Sequence, residues 1–332
     1  MAEESAEVLV VGGGPAGLAA ATRLAEADIG RVVLLEREPT AGGTPRHCGH
    51  YPFGMREAGR LLRGPDYATR LVRRAEARGV EILSRHSVMS LQPGPRLQIS
   101  SPAGLTTWRA RRVVLCTGIR ESTRVERQVG GLRTAGVLST GALQGLVYLD
   151  ALRPFNRPVI YGSELVSFSA ILTCRHLGIR PIAMIESETR IVAPRACALL
   201  PKLLGMPIMT GTHVEAIEGR ERVGGVVVRD TNGETRRLSC DGIIISGRFR
   251  PEISLLKDSH IDIDHVTKGA RIDRYLRCSD PHYFAAGNIL RSAKSAGGCW
   301  QEGRQVADRV IACLDGRLPD HELAGAQASE GR

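Results

Sequence analysis

An apolar run, Val8-Leu9-Val10-Val11, leads into the turn Gly12-Gly13-Gly14-Pro15-Ala16-Gly17; a helical stretch and a second strand, Val32-Val33-Leu34-Leu35-Glu36, follow. A strand, a G-x-G-x-x-G turn, a helix and a second strand closed by an acid restrict the chain to a parallel α/β fold. In this arrangement Gly12 makes the tight turn, Gly14 lets backbone approach a pyrophosphate, and Gly17 lets helix and strand pack closely. Phosphates then sit over the helix N-terminus, where unpaired N–H groups and the dipole favour negative charge. Glu36 falls about 20 residues after the glycines, where an acid accepts hydrogen bonds from ribose hydroxyls.

At 332 residues the chain outgrows one small core and suits two α/β domains. No apolar run reaches bilayer-spanning length. The acidic start, Met1-Ala2-Glu3-Glu4-Ser5-Ala6-Glu7, is unlike a secretory signal, so the sequence reads as cytoplasmic. A net charge of +10 raises nucleic acid as a partner. The basic residues are scattered arginines, with lysines only at 202, 257, 268 and 294, and aromatic residues are 4%, so base stacking is not served. A basic face toward an acidic partner or electron carrier suits the composition better. The eight cysteines, at 48, 116, 174, 197, 240, 278, 299 and 313, form no CxxC pair and no zinc or iron–sulfur spacing, so no metal is expected. Cys116 and Cys174 lie in apolar stretches and read as buried packing residues.

Residues 37–50, rich in Gly, Pro and His, form a long loop of the kind that carries function. A helix is expected at 66–78, strands at 80–83 and 86–91, and a hairpin through 97–100 and 106–108. A buried strand over 112–118 ends in Thr117-Gly118. A second strand–turn–helix unit begins at Pro158-Val159-Ile160-Tyr161-Gly162-Ser163-Glu164, with a helix to Leu177 and a strand over 181–186. Here Glu164 stands where the middle glycine belongs. A side chain there blocks close approach, and its carboxylate repels a pyrophosphate. Whether this second unit holds a nucleotide, ATP or NAD(P), or nothing is left open by the residues. Strands are expected at 223–228 and 238–246, flanking the turn at 230–233. A strand over 282–289 ends in Gly287-Asn288, and Gly297-Gly298-Cys299-Trp300-Gln301-Glu302-Gly303-Arg304 leads into a helix through Leu314. The polar tail 319–332 reads as disordered.

Taken in order, the glycine turn with Glu36, the Cys116-Thr117-Gly118 strand end, Ser246-Gly247-Arg248 and Phe284-Ala285-Ala286-Gly287-Asn288 resemble the flavoproteins with two dinucleotide-binding domains, the class of glutathione and thioredoxin reductases. That resemblance implies an α/β fold with two Rossmann-like domains and FAD at the first site. It implies a discontinuous FAD domain, 1–150 and 251–318, with an inserted NAD(P)-like domain over 151–250. Disulfide reductases of this class carry a redox cysteine pair; this chain has a single Cys48 in the loop, and exchange needs two sulfurs.

The loop Gly42-Gly43-Thr44-Pro45-Arg46-His47-Cys48-Gly49-His50, the segment Gly162–Ser169 and the Gly297–Arg304 segment resemble a narrower group. It comprises the FAD-containing alpha-type subunits of hetero-oligomeric amine dehydrogenases: D-hydroxyproline and L-proline dehydrogenases, opine oxidases and cyanide-forming glycine dehydrogenase. The resemblance implies partners, a glycine-oxidase-like flavoprotein subunit plus a small iron–sulfur subunit, with a small amino acid or opine as the substrate of the complex. It places Gly12, Gly14, Pro15, Ala16, Gly17, Glu36, Arg37, Gly43, Thr44, Val88, Thr117, Gly118, Gly287, Asn288 and Gly298 at the FAD. Arg46, His47, Cys48 and His50 are the candidate catalytic residues, with His50 suited to act as a base. A helix starting near Gly298 would aim N–H groups at the charge that builds near flavin N1, and Asn288 would contact the ribityl chain or phosphate. The alternative function is a stand-alone NAD(P)H-dependent flavin oxidoreductase acting on a small carrier or quinone.

Overall fold

The computed structural model describes residues 3–321. The chain forms two compact units: Met1–Arg46, Tyr51–Arg120 and Arg250–Arg332 make the first, and His47–His50 with Glu121–Phe249 make the second. Both are α/β folds of dinucleotide-binding type.

In the first unit the strand Glu3–Val11 lies between Val32–Glu36 and Gly104–Leu115 and runs parallel to both, with Val8 opposite Val32 and Val11 opposite Leu115. Tyr283–Ala285 adds a further parallel strand beside Gly104–Leu115. Val8–Val10, Val32–Leu35 and Val113–Leu115 are buried on both faces, as continuous apolar runs in parallel sheets require. The helix Pro15–Ala25 follows the glycine turn, and the helix Ala296–Leu314 packs across it. Gly303 permits that crossing, because a Cβ there would lie 2.1 Å from the carbonyl oxygen of Ala16. The separate segments expected at 106–108 and 112–118 are one strand ending at Leu115. They merge because the first strand starts at Glu3 and pairs with residues as early as Thr107.

The second unit has a five-stranded parallel sheet in the order Ile208–Met209, Ala183–Ile185, Pro158–Tyr161, Gly242–Ile245 and Val137–Ser139. The helices Thr140–Tyr148 and Leu165–His176 pack on one face of it. The antiparallel strands His213–Glu218, Gly225–Arg229 and Thr235–Leu238 pack on the other. This unit begins at Glu121 rather than 151, because Val137–Ser139 and the helix after it belong to this sheet. The single strand expected over 238–246 is two strands in different sheets. Asp241 sits at the break, its carboxylate accepting the N–H groups of Asn156 and Arg157, both at 2.7 Å.

Residues 319–321, expected to begin a disordered tail, are held in place. The buried Arg277, paired with Asp273 at 2.7 Å, donates to the carbonyl oxygens of Pro319 and Asp320. The rest of that tail lies outside the described residues.

Candidate functional site

The first unit builds a cradle around the glycine turn. Gly12 has φ +107°, a left-handed conformation that a side chain strains. Gly17 faces the Gly12 carbonyl so closely that a Cβ would lie 1.9 Å from its oxygen. At Gly14, by contrast, a Cβ would meet only the Gly43 Cα, at 4.0 Å. Gly14 is the N-cap of the helix beginning Pro15-Ala16, with no side chain capping it. The helix end is therefore open backbone, as pyrophosphate binding needs. The loop folds over it: the Gly42 N–H donates to the Gly13 carbonyl at 2.7 Å, bringing Gly43 and Thr44 beside the turn. These residues fit the diphosphate of FAD.

Glu36 is buried at the end of its strand. One carboxylate oxygen accepts the Gly13 N–H and the other the Glu38 N–H, both at 2.9 Å. A carboxylate has about four lone-pair sites, so two stay open to ribose hydroxyls. His86 N–H donates to the Glu36 carbonyl, which draws the strand bearing Val88 to the same corner. Arg37 is exposed, 3.8 Å from the Glu38 carboxylate. Thr117 donates its hydroxyl to the Glu252 carbonyl at 2.6 Å, and Gly118 accepts the Glu252 N–H. Both therefore tie the returning chain to the sheet edge.

Gly287 has φ +82°, and a Cβ there would press on Ala16. Asn288 spends its amide on one loop: Nδ2 donates to the Lys294 carbonyl and Oδ1 accepts the Lys294 N–H. One Nδ2 hydrogen is left for a ligand. The final helix starts at Ala296, close to Gly298 as expected, and the Gly298 N–H is taken by the Ser295 hydroxyl at 3.2 Å. Sequence reasoning missed what Glu302 does. Its buried carboxylate accepts the Gly287 N–H at 2.7 Å and pairs with Arg291 and Lys294, each at 2.6 Å. Nothing local in the sequence announces those partners.

The four candidate catalytic residues are not gathered in one unit. Arg46 belongs to the first and braces its own loop, donating to the Thr40 hydroxyl at 2.5 Å. His47, Cys48 and His50 belong to the second. Cys48 is buried with its sulfur 3.5 Å from the Gln144 amide oxygen. Burial, with the charge of Glu121, pushes its thiol pKa up to about 12, so it packs as a thiol at neutral pH. Glu121, also unread in the sequence, accepts the N–H groups of Gly141 and Gly247 at 2.8 and 3.0 Å. Burial raises its pKa despite those bonds. Cys116, Cys174 and Cys299 are buried as well.

The second unit repeats the first unit's acid arrangement but not its cradle. Glu186 directly follows its strand, accepting the Ser163 hydroxyl at 2.6 Å and the Glu188 N–H at 3.0 Å. Gly162 keeps the tight turn at φ +125°. The place of the middle glycine is filled by Glu164, whose carboxylate accepts the Arg248 N–H at 2.6 Å. Arg248 then reaches the Ser187 hydroxyl, also at 2.6 Å. A carboxylate held at this turn opposes the approach of a pyrophosphate by charge, while the N–H groups at the start of the helix Leu165–His176 carry no side-chain cap.

Two units of this type in one chain, each with a glycine turn and an acid at the end of or just after the second strand, have the fold of flavoprotein oxidoreductases. The family model for Pyridine nucleotide-disulphide oxidoreductase matches residues 6–303, and the chain belongs to that family of FAD-dependent oxidoreductases. It is similar to one of the subunits of opine oxidase from Rhizobium meliloti (strain 1021), 25% identical over 345 residues, covering 98% of this chain and 72% of the relative. It is as similar to thioredoxin reductase of Streptomyces clavuligerus, 25% identical over 325 residues, covering 92% and 94%. The structure of T. acidophilum thioredoxin reductase matches with a TM-score of 0.78 at 22% identity, covering 94% of this chain and 99% of that one. That likeness establishes the fold.

Proposed function

We propose that this chain is the FAD-binding, electron-relaying subunit of a hetero-oligomeric dehydrogenase in which a partner flavoprotein oxidises a small amino acid or opine, D-hydroxyproline being the first candidate. The observation that carries this reading is Glu164, bonded to the Arg248 N–H where a pyridine nucleotide would bind. With that place filled, electrons have to arrive from another protein. The likeness to one of the subunits of an opine oxidase supports it.

Bound FAD would supply two-electron acceptor chemistry, with negative charge building near N1. The chain's residues hold and orient it: the Gly12–Gly17 turn takes the diphosphate, Glu36 the ribose, and the Gly287–Lys294 loop, fixed by Glu302, the segment beyond. A small iron–sulfur protein is the proposed electron exit.

A second reading, a stand-alone NAD(P)H-dependent flavin oxidoreductase, is favoured by thioredoxin reductases matching almost end to end in both directions. The comparisons weigh toward this second reading, and the chemistry at Glu164 toward the first. Disulfide reduction itself is set aside under both readings, because the loop carries a single cysteine, Cys48, and exchange needs two sulfurs. Anaerobic titration of the flavin-loaded protein with NADH and NADPH separates the two readings. An unchanged flavin spectrum, with bleaching by dithionite, is the outcome expected of a relay subunit. Rapid bleaching by either nucleotide would replace it with the stand-alone oxidoreductase.

A further inference from the structure

Unit two carries an outer helical face that is unusual for a surface. The helix Leu165–His176 turns Phe168, Ala170, Ile171 and Cys174 inward. Its outward side carries Leu165, 63% exposed, and Leu172, 44% exposed. The segment leading into the short helix Leu199–Leu203 packs on the same core through Ala193, Cys197 and Leu200. It is tied to the start of the longer helix, since the N–H groups of Val192 and Ala193 both bond Ser163. It too presents apolar side chains outward: Val192 at 56%, Leu199 at 60% and Leu203 at 83% exposure. Clustered side chains of this size are not left in water without a reason.

The charge on these two segments has one sign. Positions 165–185 and 189–214 contain no Asp or Glu, whereas Arg175, Arg195 and Lys202 are exposed among the leucines. Two copies meeting through this face about a two-fold axis would bring cations against cations. The occupant therefore carries negative charge. The large exposed side chains of the face are leucine and valine, with no aromatic residue among them. The face lacks the Trp and Tyr anchors in which protein interfaces concentrate energy, and leucine, valine and lysine are under-represented among such anchors. A fluid anionic surface needs no shaped anchors; it needs apolar side chains to insert and cations to meet phosphate headgroups.

We infer that the outer face of the Leu165–His176 and Leu199–Leu203 helices docks this protein on the surface of an anionic lipid bilayer. Such docking is peripheral: among the described residues no helix is long and apolar enough to cross a membrane. The inference does not depend on the source of the electrons.

The test is co-sedimentation of the flavin-loaded protein with vesicles of phosphatidylcholine alone, or of phosphatidylcholine containing phosphatidylglycerol. Binding is expected only to the anionic vesicles, weakening about tenfold as salt rises from ~0.1 to ~1 M because screening shortens the reach of the cations. The double variant Leu199→Gln/Leu203→Gln is expected to lose about tenfold in binding while keeping its flavin content, since both side chains are on the surface. Equal binding to neutral vesicles, no binding at all, or full binding by the double variant would overturn the proposal. So would light scattering that shows a dimer of the native chain which the double variant dissolves, because the face would then belong to a second copy. A tighter grip on an acidic Leu/Glu helical peptide than on the anionic vesicles would assign the face to an acidic protein instead.

Discussion

Gly14 and Glu164 stand at equivalent points of the two units, and the contrast between them is one side chain. A Cβ at Gly14 meets nothing closer than 4.0 Å, so the backbone tolerates a larger residue. Gly14→Glu is therefore expected to fold with a melting temperature near that of the flavin-free native chain, and to carry no FAD. Flavin absorbance after purification and a thermal melt check both halves of that expectation. Glu302 works differently, through partners brought in from the Gly287–Lys294 loop. Glu302→Ala would strand Arg291, Lys294 and the Gly287 N–H together, a loss of about 2 kcal/mol in urea unfolding. Glu302→Gln, which keeps an acceptor for Gly287, should lose less. The substitution at Glu164 was legible from glycine spacing alone. The roles of Glu302 and Glu121 were not, because their partners lie in other segments and no periodicity encodes a long-range hydrogen bond.

Among the elements, those with a strong local pattern were readable and those whose ends depend on pairing were not. The helix expected at 66–78 is Gly64–Glu76, because Pro65 is pre-shaped for a first turn and Tyr67, Ala68, Leu71 and Ala75 share one buried face. The break at Asp241 escaped notice because both halves of 238–246 read as strand, and only the Asn156 and Arg157 N–H groups reveal the turn. The segment 260–283 hides a similar device. Asp280 accepts from the His282 N–H at 2.9 Å and lies 2.9 and 2.8 Å from ring nitrogens of His260 and His282. Burial pushes its pKa up, but the bonds from both histidines outweigh that and hold it below the ordinary carboxylate value. A depressed folded-state value stabilises the fold above the unfolded Asp pKa of about 3.9, and the gain is lost as pH falls through the folded value. Urea unfolding should find Asp280→Asn weaker than the native chain at neutral pH, with the gap closing on acidification below ~4. A gap that persists at low pH would mean packing, not charge, is what the aspartate contributes.

Across the whole molecule, the first unit is assembled from three stretches of chain and the second from two. An interrupted first domain was implied by the resemblance to flavoproteins with two dinucleotide-binding domains, with its break expected at 150 rather than at Arg120. The assignment of His47–His50 to the second unit was not visible, because Gly49 fits there through tertiary contact alone: a Cβ would strike the Tyr148 ring at 2.3 Å. Function divides along the same line if the open cradle binds FAD and the filled one binds no pyridine nucleotide. A ligand that binds only the native state raises stability with its free concentration, by about 2.7 kcal/mol at ~100 times its dissociation constant. Chains with more than one cooperative unit need not melt as one. Calorimetry of the chain is accordingly expected to resolve two transitions, one that climbs as FAD is added and one that FAD leaves in place. NADH and NADPH should move neither. In Glu164→Gly, where the acid that holds the Arg248 N–H is gone, the FAD-insensitive transition is the one that should begin to climb with nicotinamide nucleotide. If it stays fixed in that variant, Glu164 is not what keeps pyridine nucleotides out, and the relay reading loses the observation on which it stands.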